Sequence, residues 1–169
     1  GSTFGHEITH GFDDQGSQYD EKGNLNNWWT EEDYAKFRSK TKLIVDQFNN
    51  YTIVGGKHIN GDATQGENIA DLGGVVMGFE AFKKTAQFKN KEIISGLTPQ
   101  KRYFLAYAYA WMVNANKEAL TQQVMMDVHA PAQFRINGPL SNYNEFYKAF
   151  DIKKGSKMWQ PDNLRVQIW

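Results

Sequence analysis

The chain has 169 residues, enough for one domain with a substantial core, and is 40% hydrophobic and 14% aromatic, which excludes an intrinsically disordered segment. Its 19 basic and 19 acidic residues give a formal net charge of zero, excluding the basic excess that nucleic-acid or anionic-membrane binding requires. With no cysteine present, disulfides and thiolate metal sites are ruled out, so any metal must be held by His, Asp or Glu.

In chain order, residues 3–12 predict a short helix ended near Gly11, and the Asp-, Gly-, Gln- and Asn-rich run from Phe12 to Asn27 reads as a loop. Thr30 has the character of an N-cap, because Glu31, Glu32 and Asp33 crowd a first turn where the helix dipole favours negative charge. Phe37, Thr41, Ile44, Val45 and Phe48 recur at helical spacing behind it. A turn at Gly55-Gly56 and a polar stretch to Gly66 lead to a second helical segment, Glu67 to about Phe88, with Ile69, Leu72, Val76, Phe79 and Phe82 on its expected buried side. Thr98-Pro99 opens a third helix, since proline is tolerated in the first turn. It is strongly aromatic (Tyr103, Phe104, Tyr107, Tyr109, Trp111), and such a stripe, like Trp28-Trp29, reads as core rather than pocket. Residues 117–126 continue as helix, Val128–Leu140 reads as irregular because of Pro131, Gly138 and Pro139, and Ser141 caps a last helix reaching Phe150. The expected architecture is a single, mainly α domain over residues 1–169, without repeats and with no run of the roughly 18 apolar residues a membrane span needs. Gly1-Ser2 reads as a cloning remnant, and no secretory signal is visible.

The strongest chemical signal is His6-Glu7-Ile8-Thr9-His10. Two histidines four apart share one helix face, so both imidazoles reach one ion, and Glu7 beside them can deprotonate a metal-bound water. Catalytic zinc takes three protein ligands and keeps a position open, and Gly66-Glu67-Asn68-Ile69-Ala70-Asp71-Leu72-Gly73-Gly74 is the evident source of the third. Glu67 as ligand would leave Asp71 one turn on, able to support a liganding imidazole, while Gly73-Gly74 would let the two helices approach closely. The plainer alternatives are incidental histidines and solvated carboxylates at a helix start. Two histidines and a carboxylate also suit divalent ions other than zinc.

These segments, together with Gly11-Phe-Asp-Asp14, Trp28-Trp29, His58-Ile-Asn-Gly61, Asp127-Val-His-Ala-Pro131, Phe134-Arg135 and the Arg-Val-x-x-Trp ending at Trp169, closely resemble the neprilysin and endothelin-converting-enzyme family, in the same order over nearly the whole chain. The resemblance implies the C-terminal part of a zincin-like (gluzincin) metallopeptidase fold, helical with little or no strand. It implies one zinc ion per chain, with His6, His10 and Glu67 as ligands, Glu7 as general base and Asp71 as the carboxylate supporting the site. It further implies a second, outer carboxylate at Asp13, oxyanion stabilisation by His129 and contact of Arg135 with the substrate backbone. Chemistry alone agrees that a preorganised donor opposite the metal lowers the barrier to peptide hydrolysis, and that the planar fork of Arg135 suits a peptide carbonyl and could pair with Asp71. His58 reads as structural or surface.

The chain departs from the family in extent. The Asn-Ala-x-Tyr stretch expected to grip substrate, the helical lid and the strand bordering the cleft would all lie upstream, so the expected partners are oligopeptide substrates and the missing N-terminal part of the same protein. Secreted animal members carry a cysteine where Gln167 stands, which favours a bacterial, cytoplasmic relative over a secreted or cell-surface one. The function expected is that of a zinc-dependent endopeptidase, with activity of the isolated chain an open question. The alternative is a non-catalytic zinc-binding or adhesion module, although such a protein should have lost Glu7 or His129.

Overall fold

The computed structural model describes residues 1–53 and 55–168; Trp169, the last residue of the Arg-Val-x-x-Trp ending, lies outside the described residues. Helix α1 (Ser2–Thr9) runs into a 3-10 turn at His10–Phe12. Helix α2 (Glu31–Asn49) starts where expected: Thr30 Oγ1 accepts the Asp33 amide at 3.1 Å, and Phe37, Thr41, Ile44, Val45 and Phe48 are its buried face. The remaining helices are α3 (Gly61–Lys83), α4 (Ala86–Lys89), α5 (Pro99–Ala110), α6 (Lys117–Met126), α7 (Ala132–Leu140) and α8 (Asn144–Phe150). Among the described residues there is no strand, only isolated bridges such as Thr52 with His58. No described helix is long and apolar enough to cross a membrane.

Helix α3 is the hub, with α1, α2 and α7 packed along it and α5 against α8. Ile69, Val75 and Phe79 of α3 are fully buried, and each such side chain contributes about 1.5–3 kcal/mol. Phe79 stacks on Phe104 at 5.1 Å and meets Phe88, Tyr103 and Tyr143 edge-on. The α1–α3 crossing is close because glycines line it. A Cβ on Gly74 would sit 2.5 Å from the Ser2 carbonyl oxygen, and one on Gly73 would sit 2.2 Å from Thr9 Oγ1.

Four sequence expectations change. Helix α3 begins at Gly61, six residues before Glu67, because Asn60 Oδ1 caps the Ala63 amide at 3.1 Å and Gly61 lies directly on the Val45 carbonyl. Residues 132–140 are helical, not irregular. Pro131 stands at the N-cap, where no amide is needed, and Gly138 is admitted because the Phe48 ring fills the space a side chain would take. Ser141 closes α7 instead of opening the next helix, which starts at Asn144. The aromatic stripe is only partly core: Phe104 and Tyr107 are buried, but Tyr109 is 75% and Trp28 46% exposed. Trp29, half-buried, stacks on Phe37 and donates its indole N–H to the Ser17 carbonyl at 2.8 Å. Behind α1, Ile8, Phe12, Trp28, Val76 and Met77 border an open apolar groove of about 680 Å³.

Candidate functional site

The i, i+4 spacing on α1 places His6 and His10 side by side, and the close α1–α3 crossing brings Glu67 opposite them. Their Nε2 atoms are 3.1 Å apart, and Glu67 approaches His6 Nε2 at 3.2 Å and His10 Nε2 at 3.6 Å. Together the three offer ligand atoms within 4.8 Å of one another. Each imidazole is backed by a carboxylate. Asp13 Oδ2 lies 2.8 Å from His10 Nδ1, and Asp71 Oδ1 lies 2.9 Å from His6 Nδ1, the latter an ion-pair contact rather than an aligned hydrogen bond. Carboxylates accept only, so Asp13 and Asp71 favour the tautomers with the proton on Nδ1, which turn the Nε2 lone pairs inward.

Two lone pairs and a carboxylate facing one another at hydrogen-bond distance repel unless a cation stands among them. Charge points the same way, since Glu67, Asp71 and Asp13 outnumber the one guanidinium of Arg135. Burial disfavours charge on His6, yet the close Asp71 carboxylate and the charge of Glu67 raise its pKa against the opposing Arg135. The donor set, two imidazoles and a carboxylate with carboxylates behind them, fits a zinc ion of the catalytic type.

Glu7 is exposed, three residues before His10 on the adjoining edge of α1. His129 stands in the loop between α6 and α7, with Nε2 at 3.2 Å from Glu67 Oε1. Asp127 holds it there, since a single oxygen, Oδ1, accepts the His129 backbone amide at 2.9 Å and faces Nδ1 at 2.7 Å. Those two bonds, with little burial to oppose them, lower the Asp127 pKa. Arg135, on α7, pairs with Asp71 through Nε and Nη2, both at 2.8 Å, and reaches Glu67 through Nη2 at 3.3 Å. Its guanidinium carbon lies 4.0 Å from the centroid of the Trp111 ring. These contacts outweigh the burial of the cation and hold its pKa up. The two N–H groups on Nη1 are taken up by none of them.

The structure therefore brings together His6, His10, Glu67, Asp71, Asp13, His129 and Arg135, with Glu7 beside them. His58 lies apart, its Nδ1 2.9 Å from the Asn49 carbonyl. Sequence reasoning gave no role to Asp127 or Trp111. The Asp-x-His spacing, which lets one carboxylate take both the amide and the ring of a residue two positions on, was the available signal for the first.

Comparison with known proteins finds similarity along nearly the whole chain. The family model described as Peptidase family M13 matches residues 1–166. An endothelin-converting enzyme homolog from Locusta migratoria is 44% identical over 161 residues, 94% of this chain and 22% of that protein. A neutral endopeptidase from Lactobacillus helveticus is 40% identical over 169 residues, all of this chain and 24% of that protein. The solved structure of the Mycobacterium tuberculosis zinc metalloprotease Zmp1 with an inhibitor superposes with a TM-score of 0.91 at 36% identity, over 99% of this chain and 26% of that one. The chain thus spans about a quarter or less of the length of these relatives.

Proposed function

The chain belongs to peptidase family M13, and we propose that it forms the metal-binding catalytic part of a neprilysin-like zinc endopeptidase that hydrolyses oligopeptides. The observation that carries this reading is the convergence of the His6 and His10 Nε2 atoms on the Glu67 carboxylate, with Asp71 and Asp13 behind them. His6, His10 and Glu67 would hold one zinc ion. When bound, the ion supplies a Lewis acid that polarises the scissile carbonyl and acidifies water.

The chain's own groups divide the remaining work. Glu7 takes a proton from the attacking water as the new C–O bond forms, and returns it to the amine nitrogen as the C–N bond breaks. His129, its ring fixed by Asp127, presents Nε2 to the oxygen where negative charge develops, a contribution of about a hundred- to a thousandfold in rate. Arg135, anchored by Asp71 and Trp111, offers the Nη1 donors to a substrate carbonyl. The relatives' greater length supports a further part of the proposal: the walls that hold and orient the peptide come from the rest of a longer polypeptide.

The test is hydrolysis of a fluorogenic oligopeptide, with zinc measured by elemental analysis on the same samples. Wild type should cut the peptide in a chelator-sensitive manner, and Glu7→Gln should lower the rate by about a thousandfold with zinc retained. An E7Q variant of wild-type activity would sink the reading. Zinc bound without turnover in either protein, and equally in a longer polypeptide that supplies those walls, would point to a non-catalytic metal module.

A further inference from the structure

Helix α7 carries a defect at the position that matters to Arg135. Pro139 lies four residues after Arg135 within the helix, and proline has no amide hydrogen, so the Arg135 carbonyl loses its ordinary i+4 donor. The proline ring also pushes that carbonyl off the helix axis. The oxygen is satisfied from another helix, by the Tyr107 hydroxyl of α5 at 2.9 Å. Tyr107 is buried. The direction is forced, because a carbonyl only accepts. Tyr107 therefore donates to Arg135. The Trp111 ring in turn covers the Arg135 guanidinium at 4.0 Å. Arg135 is thus held twice from α5, its carbonyl by Tyr107 and its guanidinium by Trp111 at the C-cap of that helix.

We propose that Tyr107 is a positioning residue of the substrate site, its hydroxyl standing in for the missing amide of Pro139 and thereby setting where Arg135 presents Nη1 to a peptide. This rests on the peptidase reading only in taking Arg135 as a peptide contact. Burial first, and the nearby Asp71 charge second, hold the Tyr107 pKa well above its ordinary value, so the donor persists across the neutral range.

The defect also supplies its own control, because Pro139→Ala restores an amide to the Arg135 carbonyl. Two readouts are compared in the zinc-loaded chain carrying Glu7→Gln: the dissociation constant of a fluorescent apolar oligopeptide, and the exchange rate of the Arg135 Nε–H by NMR. Tyr107→Phe should weaken the peptide about five- to tenfold and speed Nε–H exchange by a similar factor, one buried hydrogen bond's worth. Y107F/P139A should return both to within about twofold of the parent, which loss of mere packing around the ring would not allow. Unchanged exchange in Y107F, or no recovery in the double variant, overturns the proposal. If Y107F alone does not fold, a folded double variant with parental exchange supports it, and failure of both to fold overturns it. A parent that binds no peptide bears on the walls supplied by the rest of the polypeptide and not on Tyr107, whose role the exchange rates then decide alone.

Discussion

Asp71 serves two partners from within the core. Its oxygens take Nε and Nη2 of Arg135 and also flank His6 Nδ1, so the carboxylate links the imidazole of a proposed metal ligand to the guanidinium of a proposed substrate contact. Removing one member of a buried pair strands the other, which typically costs about 3–5 kcal/mol, whereas the pair itself adds little over apolar packing. Asp71→Asn should therefore lower stability by about that amount, and weaken zinc about 10- to 100-fold by loosening the ring of His6. Urea unfolding and competition against a chromophoric chelator would show it. A variant within 1 kcal/mol of wild type and equal in zinc affinity would remove Asp71 from this role.

At the scale of elements, the site depends on how closely α1 lies on α3. Gly74→Ala would drive a methyl onto the Ser2 carbonyl and the His6 amide, whereas the equivalent Cβ at Gly11 meets nothing within 4 Å. G74A should cost about 1–3 kcal/mol and weaken zinc about tenfold as His6 and His10 move off Glu67, with G11A as the near-neutral control. Equal melting temperatures and zinc affinities for the two would refute the argument. The sequence made this crossing readable: His6, His10, Glu67 and Asp71 follow the four-residue helical period, and Gly73-Gly74 announces a close approach. Thr30 was legible for a similar reason, since a capping hydroxyl and its acidic first turn are local. Helix α7 was not, because Gly138-Pro139 signals a break unless one knows that Phe48 needs the space and that Tyr107 replaces the lost donor. Asp127 and Trp111 escaped notice because their work is done through space, against His129 and Arg135. The same blindness applied to α3, whose polar first turns look like loop until Asn60 and the α2 carbonyls are seen beside them.

For the molecule as a whole, burial perturbs a set of phenols, enclosed at Tyr107 and part-buried at Tyr51, Tyr103 and Tyr143. Tyr51, Tyr103, Tyr107 and Tyr143 all have pKa values raised above 10.0, with burial the first cause in each case. In the unfolded chain they ionise near the ordinary value while the folded chain keeps them neutral. Stability from this source is intact below pH 10 and falls as pH rises through the raised values, by at most about 1.4 kcal/mol per pH unit for each tyrosine. Urea midpoints should hold from pH 8 to pH 9.5 and drop beyond about pH 10, with Tyr103→Phe flattening the decline; a midpoint constant to pH 11 would contradict this. The spacing of the proposed ligands has a different consequence. His10 and Glu67 are roughly 57 residues apart, so an ion held by both would close a covalently continuous ring of chain, with the same entropic logic as a disulfide of that span. Helix α2 lies wholly inside that ring. Its tethering would then change with metal occupancy although none of its residues is a proposed ligand, making a segment remote from the chemistry a reporter of whether the clasp is shut.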